Sequence, residues 1–175
     1  MMKFTLSNGV EMPAVGLGTF LMSPQKAEQA VYDALTLGYR MIDTANGYMN
    51  ERAVGRGMKK SGVPRSEIFL STKLWPSEYE KSGAVDKCLE LLDTDYIDLL
   101  YVHQPAGNFM GGYRLLEKAY REGKIKAIGI SNFHDEKLEK LLAECEIKPH
   151  VIQMESHPYY TDKKTMDRLS EYGTR

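Results

Sequence analysis

The chain has 175 residues, of which 42% are hydrophobic and 27% are charged, which is typical of a soluble globular protein that can bury a sizeable core. Its 23 basic and 24 acidic side chains nearly cancel, and this balance argues against a nucleic-acid partner or an anionic membrane surface. No apolar run approaches the ~18 residues of a membrane span, and the first residues, MMKFTLSNG, lack the apolar region of a secretory signal. We therefore expect one cytoplasmic domain over residues 1–175.

Two cysteines, Cys88 and Cys145, fall on the apolar faces of predicted helices, in CLELL and LLAEC. Neither belongs to a CxxC pair, and the sequence has no HxH pair, so the spacing does not suggest a structural zinc site. We expect both thiols to be reduced core residues, as is usual in cytosolic proteins.

The first predicted element is a β-hairpin. FTLSNGVEMP has Asn8-Gly9 between two short segments of alternating apolar residues, which is a strong signal for a tight turn. We predict a two-stranded ribbon over residues 4–13. A helix follows in SPQKAEQAVYDALTLG, with Ser23 as its N-cap and Gly38 at its end. Its apolar face comprises Ala27, Ala30, Val31, Ala34 and Leu35.

A helix–strand unit then recurs along the chain. Further helices are predicted in ERAVGRGMKK, in a segment that carries Ala84, Cys88, Leu91 and Leu92, in YRLLEKAYREG, in DEKLEKLLAEC and, last, from Thr161 or Asp162 to Gly173, with Met166 and Leu169 as its apolar residues. The predicted strands are YRMID, IFLSTK, YIDLLYVH, KIKAIGIS and HVIQMES. They are short and almost continuously apolar, which is typical of parallel strands buried on both faces. The alternation with helices predicts right-handed βαβ crossovers and an α/β fold.

Polar residues recur at the strand ends with a regular period. Asp43, Lys73 and His103 follow one another at intervals of 30 residues, and Ser131 lies 28 residues further on. A unit of this length with polar carboxyl-terminal ends predicts a (β/α) barrel, in which the active site lies at that face. A doubly wound sheet is the alternative, but it prefers a glycine-rich turn after its first strand. The nearest match, GLGTF at 16–20, has no clear strand before it.

The predicted barrel is incomplete. A (β/α)8 barrel takes about 250 residues, whereas this chain supplies five predicted strands and a sixth helix, hence the first five to six units behind an N-terminal hairpin. Five parallel strands cannot close a barrel, and an open edge exposes unpaired backbone groups. Pairing with a second copy would cover that edge, so we predict a tendency to self-associate.

Four polar side chains are expected to meet above the strands. The ends of three successive strands carry Asp43, Lys73 and His103, and Tyr48 follows the first of them in a loop. A free tyrosine has a pKa near ~10, and a neighbouring lysine ammonium lowers that pKa. Asp43 can pair with Lys73 and keep it charged, while His103 can hydrogen-bond a substrate oxygen. Such a set suits carbonyl reduction, in which hydride reaches the carbon and Tyr48 protonates the oxygen.

Each of these residues also has an ordinary structural explanation. A loop tyrosine usually covers apolar surface, Asp43 and Lys73 could form a structural ion pair, and His103 could be a satisfied turn histidine. Their joint position at one barrel face favours a shared site. A Schiff-base lyase with Lys73 as nucleophile is a further alternative, although Tyr48 and His103 suit a reductase better.

Longer motifs agree with this interpretation. After the NG hairpin and GLGTF, the chain contains DTANGYMNE, STKLW, YVHQP, EGKIKAIGISNF and IKPHVIQMESHPY in that order. In sequence and spacing these segments resemble the aldo-keto reductase family over nearly the whole chain. The resemblance implies a (β/α)8 barrel, a nicotinamide cofactor, usually NADPH and otherwise NADH, and a small aldehyde or ketone as substrate.

The same resemblance implies roles for individual residues. Tyr48 would be the proton donor, with Lys73 and Asp43 as its tuning partners and His103 orienting the substrate. The residues that would contact the cofactor are Thr19, Asp43, Ser131, Asn132 and Gln153. The residues that would line the substrate pocket are Phe20, Trp75 and His103.

The resemblance does not extend to the family's last two or three units. In the family those units bind the pyrophosphate and the adenosine phosphate of the cofactor, so the residues that would choose NADPH over NADH are not in this sequence. The alternative function is therefore a truncated, noncatalytic fragment or binding subunit that keeps the fold.

Overall fold

The computed structural model describes residues 2–175 and begins with an antiparallel ribbon. Strand β1 (Lys3–Thr5) pairs with strand β2 (Glu11–Pro13), and Gly9 turns the chain with a φ of 87°, which glycine adopts without steric cost. The Asn8 side chain donates a hydrogen bond to the carbonyl of Lys126 at 2.8 Å, and this bond fastens the ribbon to the rest of the protein. The predicted hairpin is confirmed.

The main sheet has six parallel strands that follow chain order. They are β3 (Leu17–Gly18), β4 (Met41–Asp43), β5 (Phe69–Leu74), β6 (Leu99–Val102), β7 (Ile128–Ser131) and β8 (Val151–Gln153). A doubly wound sheet would reverse its strand order partway, and within residues 2–175 no reversal occurs. The sheet curls into a half-barrel, so the predicted barrel-type α/β fold is confirmed.

The first strand of this sheet is a correction to the sequence analysis, which predicts five strands. Strand β3 lies within GLGTF, where Leu17 pairs with Ile42 and Gly18 pairs with Asp43. It is two residues long and half glycine, so neither strand propensity nor periodicity reveals it. The segment that resembles a weak glycine-rich turn is therefore the first barrel strand.

Six helices connect the strands. They are α1 (Pro24–Thr36), α2 (Glu51–Ser61), α3 (Ala84–Leu92), α4 (Phe109–Arg121), α5 (Asp135–Glu144) and α6 (Lys163–Ser170). Ser23 caps α1 as predicted, because its hydroxyl accepts the backbone N–H of Lys26 at 3.4 Å. All six predicted helices are present.

Two helices differ in detail from their predictions. Helix α4 begins four residues before YRLLEKAYREG, through Gly111 and Gly112, residues that disfavour helix. Gly112 is needed there because a Cβ would meet the ring of Tyr79 at 2.6 Å. In α6, Leu169 is buried as predicted, but Met166 is 57% exposed. The prediction that Met166 belongs to the buried face is wrong, since the buried residues of α6 are Thr165 and Leu169.

Alternation along the strands separates two apolar clusters. The larger cluster lies between the outer face of the sheet and the helices, and its strand members include Ile42, Leu70, Leu100, Ile128 and Ile130. The smaller cluster lies on the inner face and contains Leu6, Phe69, Leu99, Tyr101, Ala127 and Val151. Because Leu6 comes from the ribbon, the hairpin closes the lower end of the half-barrel.

Tyr101 forms the floor of the polar site above it. It pairs in register with Lys73 of β5 on one side and with Gly129 of β7 on the other. A Cβ at position 129 would run into the Tyr101 ring, so glycine makes room for this large side chain. The Lys73 ammonium lies 5.8 Å from the centre of the Tyr101 ring.

The last residue lies beside β8. The Arg175 N–H donates to the carbonyl of His150 at 3.0 Å, and the Ile152 N–H donates to the carbonyl of Arg175 at 2.7 Å. Because β3 raises the number of strands to six, residue 175 occupies the place of a seventh strand.

Cys88 and Cys145 are both buried free thiols. Among the described residues, 2–175, no helix combines the length and the apolar character needed to cross a membrane.

Candidate active site

Lys73 lies at the centre of the polar cluster at the carboxyl ends of the strands. Its fully buried ammonium lies 2.5 Å from Oδ2 of Asp43, 2.8 Å from the carbonyl oxygen of Thr44 and 3.5 Å from the hydroxyl of Tyr48. Parallel pairing brings these groups together, since β4 and β5 are neighbours and Tyr48 follows β4. The structure therefore joins three of the four side chains predicted to be catalytic in one hydrogen-bonded group.

Asp43 bridges the cluster to its own sheet. One carboxylate oxygen pairs with Lys73, and the other accepts the hydroxyl of Ser71 at 2.6 Å. Burial lowers the pKa of Lys73, whereas the Asp43 carboxylate acts in the opposite direction. A buried ammonium is costly unless it is paired, and Asp43 supplies the countercharge that the sequence analysis expects.

Tyr48 belongs to a single turn of 3-10 helix, Asn46–Tyr48. The turn directs its ring between those of Phe20 and His103, at centroid distances of 4.9 and 5.7 Å. The amide oxygen of Asn46 accepts the backbone N–H of Trp75 at 2.9 Å. This bond ties the turn to the end of β5, so Tyr48 is held close to Lys73.

The pKa of Tyr48 departs from the sequence-based expectation. Partial burial, followed by the negative charge of Asp43, raises the pKa of Tyr48 to about 12. The expectation of a lowered pKa is wrong because burial of the hydroxyl disfavours the phenolate, and the Asp43 carboxylate, which pairs with Lys73 at 2.5 Å, adds its negative charge. The Tyr48 hydroxyl consequently stays protonated at neutral pH.

His103 is a neutral base at the mouth of the cluster. Burial, followed by the positive charge of Lys73, lowers the pKa of His103 to about 4, against the opposing effect of Asp43. Its ring packs edge-on to that of Trp75 at a centroid distance of 4.9 Å. Within residues 2–175 its buried Nδ1 has no hydrogen-bond partner. A neutral imidazole can donate one hydrogen bond without adding a second positive charge beside Lys73.

A cavity of about 810 Å³ opens above these groups. Seven of the predicted site residues line it: Phe20, Tyr48, Trp75, His103, Ser131, Asn132 and Gln153. The wall also includes residues that the sequence analysis does not single out, namely Asn46, Gly47, Met49, Ser77, Glu78, Gln104, Met154 and Glu155. Asp43 and Lys73 are not part of the wall, and Lys73 contacts it through the Tyr48 hydroxyl.

A group of amides and a hydroxyl forms the far side of this cavity. The Asn132 side chain donates to the hydroxyl of Ser131 at 3.1 Å and to the carbonyl of His103 at 3.2 Å, and its backbone N–H donates to the carbonyl of Gln153 at 3.0 Å. Asn132 has a φ of 63°, which is uncommon outside glycine and tends to occur at functional sites. Three of the residues predicted to contact the cofactor, Ser131, Asn132 and Gln153, are thus adjacent.

Thr19 differs from the other predicted site residues because its side chain is fully buried. Its hydroxyl donates to the hydroxyl of Thr44 at 2.9 Å, and the residue does not line the cavity. Contact between Thr19 and a ribose therefore stays a prediction.

Thr44 and Ser71 support the site and are absent from the predicted set. Thr44 supplies the carbonyl that binds Lys73, and Ser71 supplies the hydroxyl that binds Asp43. In the sequence, these two residues can be recognised only by their position, since both are hydroxyl residues within or next to apolar strands. A buried hydroxyl needs a partner, and the nearest polar strand end provides it.

Comparisons with known proteins agree with this geometry. The sequence profile of the Aldo/keto reductase family matches residues 14–173. The glyoxal reductase of Bacillus subtilis is 47% identical over 173 residues, covering 96% of this chain and 63% of that protein. The 9,11-endoperoxide prostaglandin H2 reductase of Trypanosoma cruzi is 44% identical, covering 97% of this chain and 62% of that protein. The chain therefore spans somewhat less than two thirds of the length of these relatives.

Solved structures show the same relationship. An aldo/keto reductase from Brucella melitensis superposes with a TM-score of 0.94 at 38% identity, covering 99% of this chain and 70% of that structure. A Bombyx mori aldo-keto reductase in complex with NADP superposes with a TM-score of 0.92 at 30% identity, covering 99% of this chain and 64% of that structure. From the family match, the identities and the shared half-barrel, we conclude that the chain belongs to the aldo/keto reductase family.

Proposed function

We propose that this chain carries the catalytic face of an NADPH-dependent oxidoreductase that reduces aldehydes or ketones, with Tyr48 as proton donor. The observation that supports this most directly is the contact of one buried ammonium, Lys73, with both Asp43 and Tyr48 at the base of the cavity. His103 borders the same cavity. Membership of the family supports an oxidoreductase activity, and the finer assignment rests on this group.

The proton leaves the Tyr48 hydroxyl. A bound nicotinamide supplies the hydride that reduces the carbonyl carbon. As negative charge develops on the carbonyl oxygen, the Tyr48 O–H donates to it and then transfers its proton, because an alkoxide is a stronger base than even a phenolate with a pKa of about 12. The Lys73 ammonium stabilises the resulting phenolate. His103 donates a second hydrogen bond that orients the carbonyl.

The residues on the far side of the cavity fit a nicotinamide carboxamide. A carboxamide has one acceptor oxygen and one donor NH2 group, and side chains of Ser131, Asn132 and Gln153 offer hydroxyl and amide groups of both kinds. Ser131 and Gln153 are paired in register on adjacent strands. NADPH is the proposed form, in keeping with the NADP complex of the Bombyx mori relative.

A small aldehyde is the first substrate to test. Phe20 and Trp75, with 64% and 43% of their surfaces exposed, flank the reactive group and offer apolar faces to the substrate. The Bacillus subtilis relative is named for glyoxal reduction. We therefore propose glyoxal and related short aldehydes for the initial assay.

The assay follows NADPH absorbance with purified chain and glyoxal. We expect Tyr48→Phe to lower kcat by about 10²–10⁴-fold, the range for removing a general acid, while cofactor binding measured by fluorescence changes little. Tyr39→Phe is the matched control, since Tyr39 lies outside the cavity lining, and it should keep wild-type turnover. Turnover of Tyr48→Phe within tenfold of wild type removes Tyr48 from the role.

The two alternatives predict different results. A noncatalytic fragment would show no NADPH oxidation even with wild-type sequence and saturating cofactor. A Schiff-base lyase would be trapped on Lys73 by borohydride with a carbonyl ligand. The three acceptors around the Lys73 ammonium favour a charged side chain, and hence the reductase over the lyase.

We also propose that the open edges of the half-barrel promote self-association. Strands β3 and β8 each have a sheet neighbour on one side, and unpaired edges attract further strands. Sedimentation of the purified chain tests this, and a concentration-independent monomer would contradict it.

A further inference from the structure

Asn50 occupies the N-cap position of α2, but its side chain does not cap that helix. An asparagine at this position usually accepts a backbone N–H two or three residues further on. Asn108 does so for α4, where its amide oxygen accepts the N–H of Gly111 at 2.9 Å. The Asn50 side chain is 99% buried and bonds elsewhere, so its amide serves a purpose other than capping.

The Asn50 amide nitrogen holds the loop after β3. It donates to the carbonyl of Thr19 at 3.0 Å and to the carbonyl of Met22 at 3.2 Å. These two acceptors flank Phe20 and Leu21, and Leu21 has a φ of 60°. Such a φ is unfavourable for a bulky residue. Two buried hydrogen bonds at the ends of the strained segment therefore stabilise the conformation that presents Phe20 to the cavity.

The Asn50 amide oxygen holds the other side of the site. It accepts the hydroxyl of Thr44 at 2.9 Å, and the carbonyl of Thr44 accepts the Lys73 ammonium at 2.8 Å. Asn50 is also two residues after Tyr48 in the chain. One amide group thus connects the residue that binds Lys73 with the loop that carries Phe20.

We propose that Asn50 is a positioning residue that fixes the loop of Phe20 relative to the turn of Tyr48. The rings of Phe20 and Tyr48 are in contact, at a centroid distance of 4.9 Å. A shift of either loop changes the space between the proton donor and the apolar face that meets the substrate. The amide nitrogen binds only the loop after β3, whereas the amide oxygen is shared between the Thr44 hydroxyl at 2.9 Å and the Thr19 hydroxyl at 3.4 Å. Loss of the nitrogen therefore releases the loop of Phe20 while the contact with Thr44 stays.

Two variants separate these connections. Asn50→Asp keeps an oxygen for the Thr44 hydroxyl but has no NH2 group for the carbonyls of Thr19 and Met22. Thr44→Val keeps the shape of the Thr44 side chain but removes its hydroxyl, and with it the bonds to Asn50 and to the Thr19 hydroxyl, while the Asn50 nitrogen still holds the carbonyls of Thr19 and Met22. Asn108→Ala is the control, since it removes a true helix cap outside this network.

Amide hydrogen exchange of the full chain measures how often each loop opens. The Met22 N–H is bonded to Thr19, and the Tyr48 N–H is bonded to Ala45, so both amides report local opening. We expect Asn50→Asp to speed exchange at Met22 by about tenfold, with a smaller change at Tyr48. Thr44→Val should show the reverse order, and Asn108→Ala should change neither. Wild-type exchange at Met22 in Asn50→Asp, or at Tyr48 in Thr44→Val, overturns the proposal.

Trp75 provides an independent spectroscopic readout because it is the single tryptophan. The backbone N–H of Trp75 donates to the Asn46 side chain, and a Cβ at Gly47 would lie 3.4 Å from the Trp75 ring. A movement of the Tyr48 turn therefore changes the environment of Trp75. Thr44→Val should increase quenching of Trp75 fluorescence by acrylamide, whereas Asn50→Asp and Asn108→Ala should not. Equal quenching of wild type and Thr44→Val contradicts the link through Thr44, including when Asn50→Asp fails to fold.

The kinetic test alone rests on the proposed reductase function. Asn50→Asp should raise KM for the aldehyde several-fold with little change in kcat, because Phe20 faces substrate. A purely structural role would lower the amount of active protein, and so apparent kcat, without moving KM. If the wild-type chain reduces no aldehyde, the proposed function fails, while the exchange and quenching patterns still decide the role of Asn50.

Discussion

Opposite ends of the same parallel strands treat buried carboxyl groups differently. At the amino-terminal end, Asp98 accepts hydrogen bonds from Arg65 at 2.8 Å, from Lys126 at 3.1 Å and from the backbone N–H of Leu70 at 3.0 Å. Both cations are partly exposed, and both stack on the ring of Tyr96, at 4.0 and 3.8 Å from its centre. This carboxylate has two positive partners that remain partly hydrated.

The carboxyl-terminal end has fewer cations for more carboxyl groups. Asp43 pairs with the fully buried Lys73. Glu51, the first residue of α2, contacts β5. One of its carboxyl oxygens accepts the hydroxyl of Thr72 at 2.6 Å, and the other has no partner within residues 2–175. Burial raises the pKa of Glu51 to about 7 against the smaller effect of its Thr72 hydrogen bond.

The two ends of the sheet therefore differ in how far their buried ionisable groups are compensated by charged partners. At the amino-terminal end the Asp98 carboxylate has two positive partners, whereas the carboxyl-terminal end has displaced pKa values at Tyr48, Glu51 and His103. Displaced pKa values tend to cluster at functional sites. Three substitutions test this contrast.

Removal of the Lys73 ammonium should have the largest effect. Lys73→Met leaves Asp43 with its countercharge gone in a largely buried position, and breaking a buried pair costs roughly 3–5 kcal/mol of unfolding free energy. Urea denaturation at neutral pH measures this loss. A loss below about 1 kcal/mol, the range of surface pairs, would mean that water replaces the ammonium and that the two ends are equivalent.

Glu51→Gln should have a smaller effect that depends on pH. The pKa of Glu51 is raised from its ordinary value to about 7 in the folded state. Its contribution to stability is therefore fully present below the unfolded pKa and is lost as pH rises through about 7. A shift of this size corresponds to ~2–4 kcal/mol between the two limits.

The measurement for Glu51 is the difference between wild type and Glu51→Gln in urea midpoint over a pH series. Other titrating groups, such as His103, are common to both proteins and cancel in this difference. We expect wild type to lose stability relative to the glutamine variant as the pH is raised through 7. Parallel curves over the whole range would show that Glu51 is ionised at no cost.

Lys126→Met should have the smallest effect. Asp98 keeps Arg65 and the Leu70 N–H, and the Lys126 side chain is 45% exposed, so its ion pair contributes about 0–1 kcal/mol. The same urea assay measures it beside Lys73→Met. A loss equal to that of Lys73→Met would refute the contrast between the two ends.

The sequence predicts the fold well where patterns are long. Strand β5 (Phe69–Leu74) is fully buried, and the predicted strand IFLSTK overlaps it over Phe69–Lys73. Strand β3 escapes prediction because Leu17 and Gly18 are too few to show any period. Met166 is misassigned because helical spacing identifies an apolar stripe, whereas burial depends on which neighbouring surface covers it.

The candidate site is predictable to a similar degree. Regular spacing of the units is enough to bring Asp43, Lys73 and His103 to one face, since parallel strands of one sheet end together. Thr44 and Asn50 are part of the quoted DTANGYMNE motif, but nothing in the motif indicates the direction of their side chains. Their hydrogen bonds appear only when the loops after β3 and β4 are placed side by side.

By itself, the sequence determined the order of helices and strands, the polar residues at the strand ends and the family, because these follow from local periodicity and from motifs within single segments. Tertiary structure alone decided that the pKa of Tyr48 rises rather than falls and that Asn50 links two loops instead of capping α2. The physical reason is that desolvation and Coulomb energies depend on burial and on distances of a few ångströms between groups far apart in the chain. At Tyr48, burial and then the Asp43 carboxylate raise the pKa, although an ammonium lies 3.5 Å from its hydroxyl.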